Sequence, residues 1–209
     1  GTDHTPGFAS CARAIAIDAR QGAIITRDMQ RVDPVCVMQT IGRDAGWLAA
    51  SSALAREKKG DAPHLIYVPE RAFNWDQFRA DVKSAYEKHG WVFAVVGEGV
   101  ADAEGRPVSY GEGGKDMVRD KFGNIEFGST GGVGAARELF MVATQTLGLR
   151  GEFQQPKSIP LCAADRRSRI DVREAFQVGR RAVAHAVKGG DGVMITIIRK
   201  PGRAYGCRY

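Results

Sequence analysis

Gly42 and Arg43 sit where an apolar run stops and a helical pattern starts, and that position gives both residues chemistry to do. The run is Val35-Cys36-Val37-Met38, and Ile41-Gly42-Arg43-Asp44-Ala45-Gly46-Trp47-Leu48-Ala49-Ala50 follows it. In open α/β sheets, ligands bind outside the carboxyl ends of the strands. A glycine there lets backbone approach a ligand closely, and an arginine offers a planar fork of donors matched to phosphate. A typical arginine is simply solvated. The strand-end position after Gly42 is what directs Arg43 to an anion, a charge-assisted contact worth about 1.5–3 kcal/mol.

Other residue types at other places offer less. Glu70 follows Pro69 at the end of the short apolar run from His64 to Val68, and read locally it is a turn carboxylate. Lys157 and Arg166 lie nine residues apart, flanking Ser158-Ile159-Pro160-Leu161-Cys162. Arg166-Arg167 alone reads as an ordinary basic turn. Gly128-Ser129-Thr130-Gly131-Gly132-Val133-Gly134 opens a helix but lacks the P-loop lysine and the strand that precedes a dinucleotide fingerprint. It reads as a flexible turn, with anion binding at the helix start a weaker second reading. His4, His64, His89 and His185 show no ligand spacing, and no nucleophile elbow supports a Ser/His/Asp triad.

Composition narrows the class. The chain has 209 residues, 44% hydrophobic and 26% charged, ordinary for a globular protein with a substantial core. No apolar run reaches a membrane span, and no signal-peptide pattern opens the chain. It begins without methionine on Gly1-Thr2-Asp3-His4, as a segment of something longer would. Cys11, Cys36, Cys162 and Cys207 are far apart and fit no zinc or redox spacing, so reduced thiols in a cytoplasmic protein are expected. A net charge of +6 and a pI near 9.3 raise the question of nucleic acid. The basic residues are spread along the chain without interleaved aromatics, so no nucleic-acid partner is expected. A small, highly anionic substrate accounts for the excess.

The elements that must position these residues alternate. Helical periodicity covers residues 7–20, a buried strand residues 34–41, and a helix residues 44–59 up to Gly60. A strand at 64–68 is followed by a helix opened by Asn74 with Gln77 and stopped by Gly90. Trp91 to Val96 is a third strand. Such alternation indicates βαβ units and a mostly parallel sheet, hence an α/β fold. A glycine- and charge-rich excursion fills residues 97–134, and its length places it near a site or interface. A helix over 135–147 and an extended stretch over 157–163 follow. Asp171 and Glu174 read as a capping-box start for a helix with Val172, Ala175, Phe176, Gly179, Val183, Ala186 and Val187 on one face. Residues 193–198 read as a final strand buried on both faces.

Taken together, these motifs resemble the phosphofructokinases. Ile41-Gly42-Arg43 is similar to their Met-Gly-Arg sugar-phosphate signature, and Asp44-Ala45-Gly46-Trp47 is closest to the pyrophosphate-dependent branch. Gly1 to Phe8 resembles the segment just after the family's catalytic Thr-Ile-Asp-Asn-Asp motif. Asp171, Glu174-Ala175, Val178-Gly179 and Ala182-Val183 repeat the pattern of its late helix.

The resemblance implies a domain plan. Residues 1–7 would be the tail of the catalytic region, 8–165 an acceptor-sugar domain carrying the 97–134 excursion, and 166–209 a return into the larger domain. It implies phosphoryl transfer to the 1-hydroxyl of fructose 6-phosphate from pyrophosphate, with ATP as the alternative donor and a non-catalytic sugar-phosphate-binding homologue as the other class. Ile41, Gly42, Arg43, Lys157 and Arg166 would serve the sugar phosphate, Glu70 the sugar hydroxyls, and Ala163 would contribute through its backbone. Lysine at 157 and alanine at 163 depart from the arginine and the histidine or tyrosine of many members. Mg2+ is implied, with ligands upstream of residue 1 in the Gly-Gly-Asp and Thr-Ile-Asp-Asn-Asp motifs, neither of which occurs here. A homo-oligomer with shared sites is implied as well, with Pro34 and Arg31 near the place of its trans-acting basic residue.

Overall fold

Val35–Thr40 forms strand β1, every residue of it buried. Both faces are covered, which is why its first four residues are continuously apolar instead of alternating. The computed structural model that shows this describes residues 4–113, 117–123, 125 and 134–209. The chain divides into one unit spanning Ala14–Pro160 and a second joining Gly1–Arg13 to Leu161–Tyr209. Helix α1, Phe8–Asp28, begins in the second and continues in the first.

In the larger unit the order is β1, α2 (Trp47–Ser51), β2 (Leu65–Tyr67), α3 (Trp75–His89), β3 (Val92–Gly97), α4 (Ala135–Leu147) and β4 (Gly151–Gln154). The strands form one parallel sheet in the order β2-β3-β1-β4. Val35, Val37, Val92, Ala94 and Val96 face Phe78, Val82, Leu139 and Ala143 of α3 and α4. The alternate residues, among them Phe93, turn to the other face, where Gly22 of α1 comes so close that an added Cβ would lie 2.7 Å from the Phe93 ring. The unit is therefore α/β, as expected.

Local chemistry explains most element ends. Asn74 Oδ1 accepts from Gln77 N at 2.8 Å and caps α3, which ends at Gly90 in the left-handed region. The helix expected over 44–59 is shorter. Ser51 and Ser52 hydroxyls donate to the carbonyls of Leu48 and Ala49 at 2.6 Å each, and α2 tightens into a 3-10 turn, Ser52–Ala55. Residues 157–163 are not extended: Ile159–Cys162 is a 3-10 turn, and Cys162 is exposed. The glycine-rich stretch 128–134 lies outside the described residues except for Gly134, which precedes α4.

His64, just before β2, is locked to β3. Its backbone N–H donates to Phe93 O at 2.8 Å, and its Nδ1 accepts from Phe93 N at 3.1 Å. The ring stacks on His89 with centroids 4.2 Å apart and meets the Trp91 edge at 4.5 Å. Burial, followed by the charges of His89, Arg56 and Lys88, lowers its pKa to about 4. The unfolded chain binds this proton near pH 6.5, so stability should fall as pH drops from 6.5 through 4. Urea titrations at pH 7 and pH 5 should show that loss, and His64→Gln should reduce it. An equal pH dependence in His64→Gln would contradict the assignment.

The second unit is built on α5, Arg169–Val187, capped by Ser168 Oγ accepting from Ile170 N at 3.2 Å. The expected cap at Asp171 is thus three residues late. Asp171 and Glu174 are helix-interior residues and the buried ones of α5, whereas Val172, Phe176, Val183 and Val187 are exposed. Amphipathic spacing identifies an apolar stripe without identifying what covers it. The expected strand over 193–198 is also absent: Val193 and Met194 are exposed, and only Ile198–Arg199 (β5) pairs, antiparallel, with Cys207–Arg208 (β6).

Candidate functional site

β1 and β3 are neighbours, with Thr40 opposite Gly97, and Glu98 N donates to Thr40 O at 2.9 Å. The two chains therefore leave the sheet side by side at its carboxyl edge. Gly42 turns the first chain with φ 125°, where an added Cβ would lie 2.7 Å from Ala45 O. Only glycine takes that conformation without strain. Arg43 follows and is exposed, and Ile41 before the turn is half-buried.

Glu98 closes the other side. Gly42 N donates to its Oε1 at 3.2 Å. The residue is only 9% exposed, and Oε2 has no hydrogen-bond partner among the described residues. Thr40 Oγ1 is buried and without such a partner as well. Leaving a buried polar group unsatisfied costs about 1–3 kcal/mol, so both atoms are places where a ligand hydroxyl would regain energy. The two loops are also in contact through their backbones. A Cβ at Gly99 would fall 1.5 Å from Arg43 O.

Glu70 is committed to the same loop in another way. Its Oε1 accepts from Gly46 N at 2.7 Å, bracing the chain between Arg43 and α2. Lys157 is exposed and has φ 50°, a left-handed conformation uncommon for a residue with a Cβ. Two residues earlier, Gln155 Nε2 donates to Gln39 Oε1 at 3.3 Å, tying the chain that leaves β4 to the end of β1. The chain that leads to Lys157 thus leaves β4 at the same sheet edge as Gly42 and Arg43. Gln39 Oε1 also accepts from Ala136 N at 3.2 Å, fixing the start of α4 there.

Ala163 and Arg166 belong to the second unit. Ala163 precedes the 3-10 turn Ala164–Arg166, and its carbonyl accepts from Arg166 N at 3.0 Å. Arg166 Nε lies 3.4 Å from Asp165 Oδ2, a pair of the surface kind that contributes little to stability.

The geometry also removes candidates. Burial, with the Glu152 charge, pushes the Cys36 thiol up to about 12, so it is no thiolate nucleophile. Among the described residues no group of three or more His, Cys, Asp or Glu could hold a metal ion. Glu98 is the residue that sequence reasoning missed. The signal was available, because Glu98 ends the apolar run Val92–Gly97 just as Gly42 and Arg43 end that of β1.

Comparison with known proteins agrees with this picture. The phosphofructokinase family model matches residues 1–144, more than half of the chain. The pyrophosphate–fructose 6-phosphate 1-phosphotransferase of Rhodospirillum rubrum is 37% identical over 204 residues, covering 94% of this chain and 48% of that protein. Its namesake in Xanthomonas campestris is 35% identical over 199 residues, 95% of this chain and 46% of that protein. A crystal structure of a pyrophosphate-dependent phosphofructokinase from Marinobacter aquaeolei superposes with a TM-score of 0.77 at 26% identity, over 99% of this chain and 46% of that one. The chain spans about half the length of the relatives it matches. A parallel sheet with a Gly-Arg turn at its carboxyl edge, the family match and these relatives together lead to one conclusion: the chain belongs to the phosphofructokinase family.

Proposed function

We propose that these residues form the acceptor-sugar part of a phosphotransferase that phosphorylates fructose 6-phosphate at its 1-hydroxyl. The observation that carries the reading is the pairing of exposed Arg43 with the buried, half-satisfied Glu98 across two loops in backbone contact. Arg43 neutralises the sugar phosphate as a bidentate donor. Glu98 Oε2 and the Thr40 hydroxyl take sugar hydroxyls together with Glu70, whose Oε1 also braces the Arg43 loop. Lys157, in the same unit as Arg43, adds a point charge towards the phosphate, and for Arg166 the family resemblance alone supports the same role.

In the reaction the 1-hydroxyl oxygen forms a bond to phosphorus of the donor, and the bond from that phosphorus to the leaving phosphate breaks. Pyrophosphate as donor gives fructose 1,6-bisphosphate and inorganic phosphate. It is favoured over ATP by Asp44-Ala45-Gly46-Trp47 and by the names of the most similar relatives. The base that takes the hydroxyl proton lies in the aspartate motif that the family resemblance sets before Gly1. Among the described residues no group of His, Cys, Asp or Glu could hold Mg2+, whose ligands the family resemblance sets before Gly1. The complete enzyme is proposed to be a cytoplasmic homo-oligomer acting in glycolysis.

The test is the complete gene product incubated with fructose 6-phosphate and either pyrophosphate or ATP, with fructose 1,6-bisphosphate read by a coupled assay. Product from pyrophosphate is expected. Product from ATP alone would overturn the donor, and product from neither would overturn the reaction. Glu98→Gln should raise the KM for fructose 6-phosphate about tenfold and leave that for pyrophosphate unchanged.

A further inference from the structure

Helix α5 turns a polar face inward and grips the chain that enters α1. Glu174 is 1% exposed. His4 Nε2 lies 3.2 Å from its Oε2, while its Oε1 accepts from the Tyr205 hydroxyl and from the Cys207 thiol at 3.4 Å. Tyr205 Oη is also 2.9 Å from His4 Nε2, and the two rings stack with centroids 5.8 Å apart. One turn earlier, Asp171 Oδ2 accepts from the backbone N–H of Ser10 at 2.6 Å and from its hydroxyl at 2.5 Å. Ser10 Oγ in turn accepts from Ser168 N at 2.8 Å.

Counting protons places one on His4 Nε2. Burial, then its bond to Glu174, pushes the Tyr205 phenol up, so it keeps its single proton and gives it to Glu174. Its oxygen then has only lone pairs to offer His4. Both atoms facing His4 Nε2 are acceptors, so the proton sits on Nε2, and ring plane and tautomer are set from α5. The residues that do this, Glu174 and Tyr205, lie beyond the stretch 1–144 matched by the family model, whereas His4 lies within it.

We infer that Glu174 is a positioning residue that acts through His4, and that with Asp171 on Ser10 it latches the chain entering α1 in the geometry phosphoryl transfer requires. The inference rests on the proposed function, in which the catalytic motif runs directly into the segment preceding His4. Misplacement by about 1 Å at such a segment costs roughly 100-fold in rate.

The experiment uses the complete gene product with Glu174→Gln, His4→Phe and the double variant. Glu174→Gln keeps the volume but turns an amide towards His4. It should lower kcat roughly 10- to 100-fold with the KM for fructose 6-phosphate within about threefold of the parent. The double variant should be no worse than the poorer single one, because both remove the same interaction. Nitrogen-15 spectra should show the His4 proton on Nε2 in the parent and displaced in Glu174→Gln. If Glu174→Gln fails to fold, Tyr205→Phe takes its place, with a kcat loss of about tenfold expected. Retained kcat, additive losses in the double variant, or a raised KM with kcat intact would each overturn the positioning role. A parent chain that transfers no phosphoryl group overturns the proposed reaction instead, and the tautomer then still decides whether Glu174 sets His4.

Discussion

Arg43→Ala in the complete gene product is expected to raise the KM for fructose 6-phosphate roughly 10- to 100-fold while the KM for pyrophosphate stays near that of the parent. A charge-assisted contact contributes about 1.5–3 kcal/mol, and each 1.4 kcal/mol is a factor of ten. The side chain is exposed on its loop, and the backbone of that loop is held independently of it, by Gly42 N on Glu98 and by Gly46 N on Glu70. Truncation removes the guanidinium and leaves both of these backbone bonds in place. Arg43→Lys should recover only part of the loss, since an ammonium lacks the planar fork. Steady-state kinetics with each substrate varied in turn checks this. A raised pyrophosphate KM with an unchanged sugar KM would assign Arg43 to the donor instead.

The second large effect is expected at Gly99. Its ideal Cβ would lie 1.5 Å from Arg43 O, against backbone and not a movable side chain. Gly99→Ala must push the two strand-end loops apart. Overpacking of this kind costs about 1–3 kcal/mol, which for a chain of this size lowers Tm by roughly 2–12 °C. Acceptor binding should suffer more than stability, because the separation falls between Arg43 and Glu98. Gly113→Ala is the control: among the described residues no atom lies within 4 Å of its ideal Cβ. Differential scanning calorimetry and sugar binding on both variants would show the contrast. Equal behaviour of the two would mean that the loops are not in the close contact described.

The sheet was legible in the sequence because its strands are buried on both faces. Val35-Cys36-Val37-Met38 and Val92–Gly97 are unbroken apolar runs, and Asn74 and Gly90 mark the ends of α3 by chemistry that acts locally. Strand β4, Gly-Glu-Phe-Gln, carries no such run. It is an edge strand with Glu152 and Phe153 exposed, and its pairing with β1 is a long-range fact. The helix read over 44–59 failed for a related reason, since alanine and leucine supply propensity while Ser51 and Ser52 bend the chain back on its own carbonyls. In the second unit, Asp171 and Glu174 look like capping residues because they precede an apolar stripe. Their partners, Ser10 and His4, are more than 150 residues away in the chain. The proposed site divides in the same way. Gly42 and Arg43 announce themselves by type and position, whereas Glu98 acquires its meaning only when β3 is seen to lie beside β1.

Titration of fructose 6-phosphate into the complete gene product, followed by calorimetry, tests most directly whether the carboxyl edge of β1 and β3 is the acceptor site. The parent should bind the sugar phosphate, Arg43→Ala and Glu98→Gln should each weaken it about tenfold or more, and pyrophosphate binding should be unaffected by either change. Unchanged fructose 6-phosphate affinity in both variants would contradict the account.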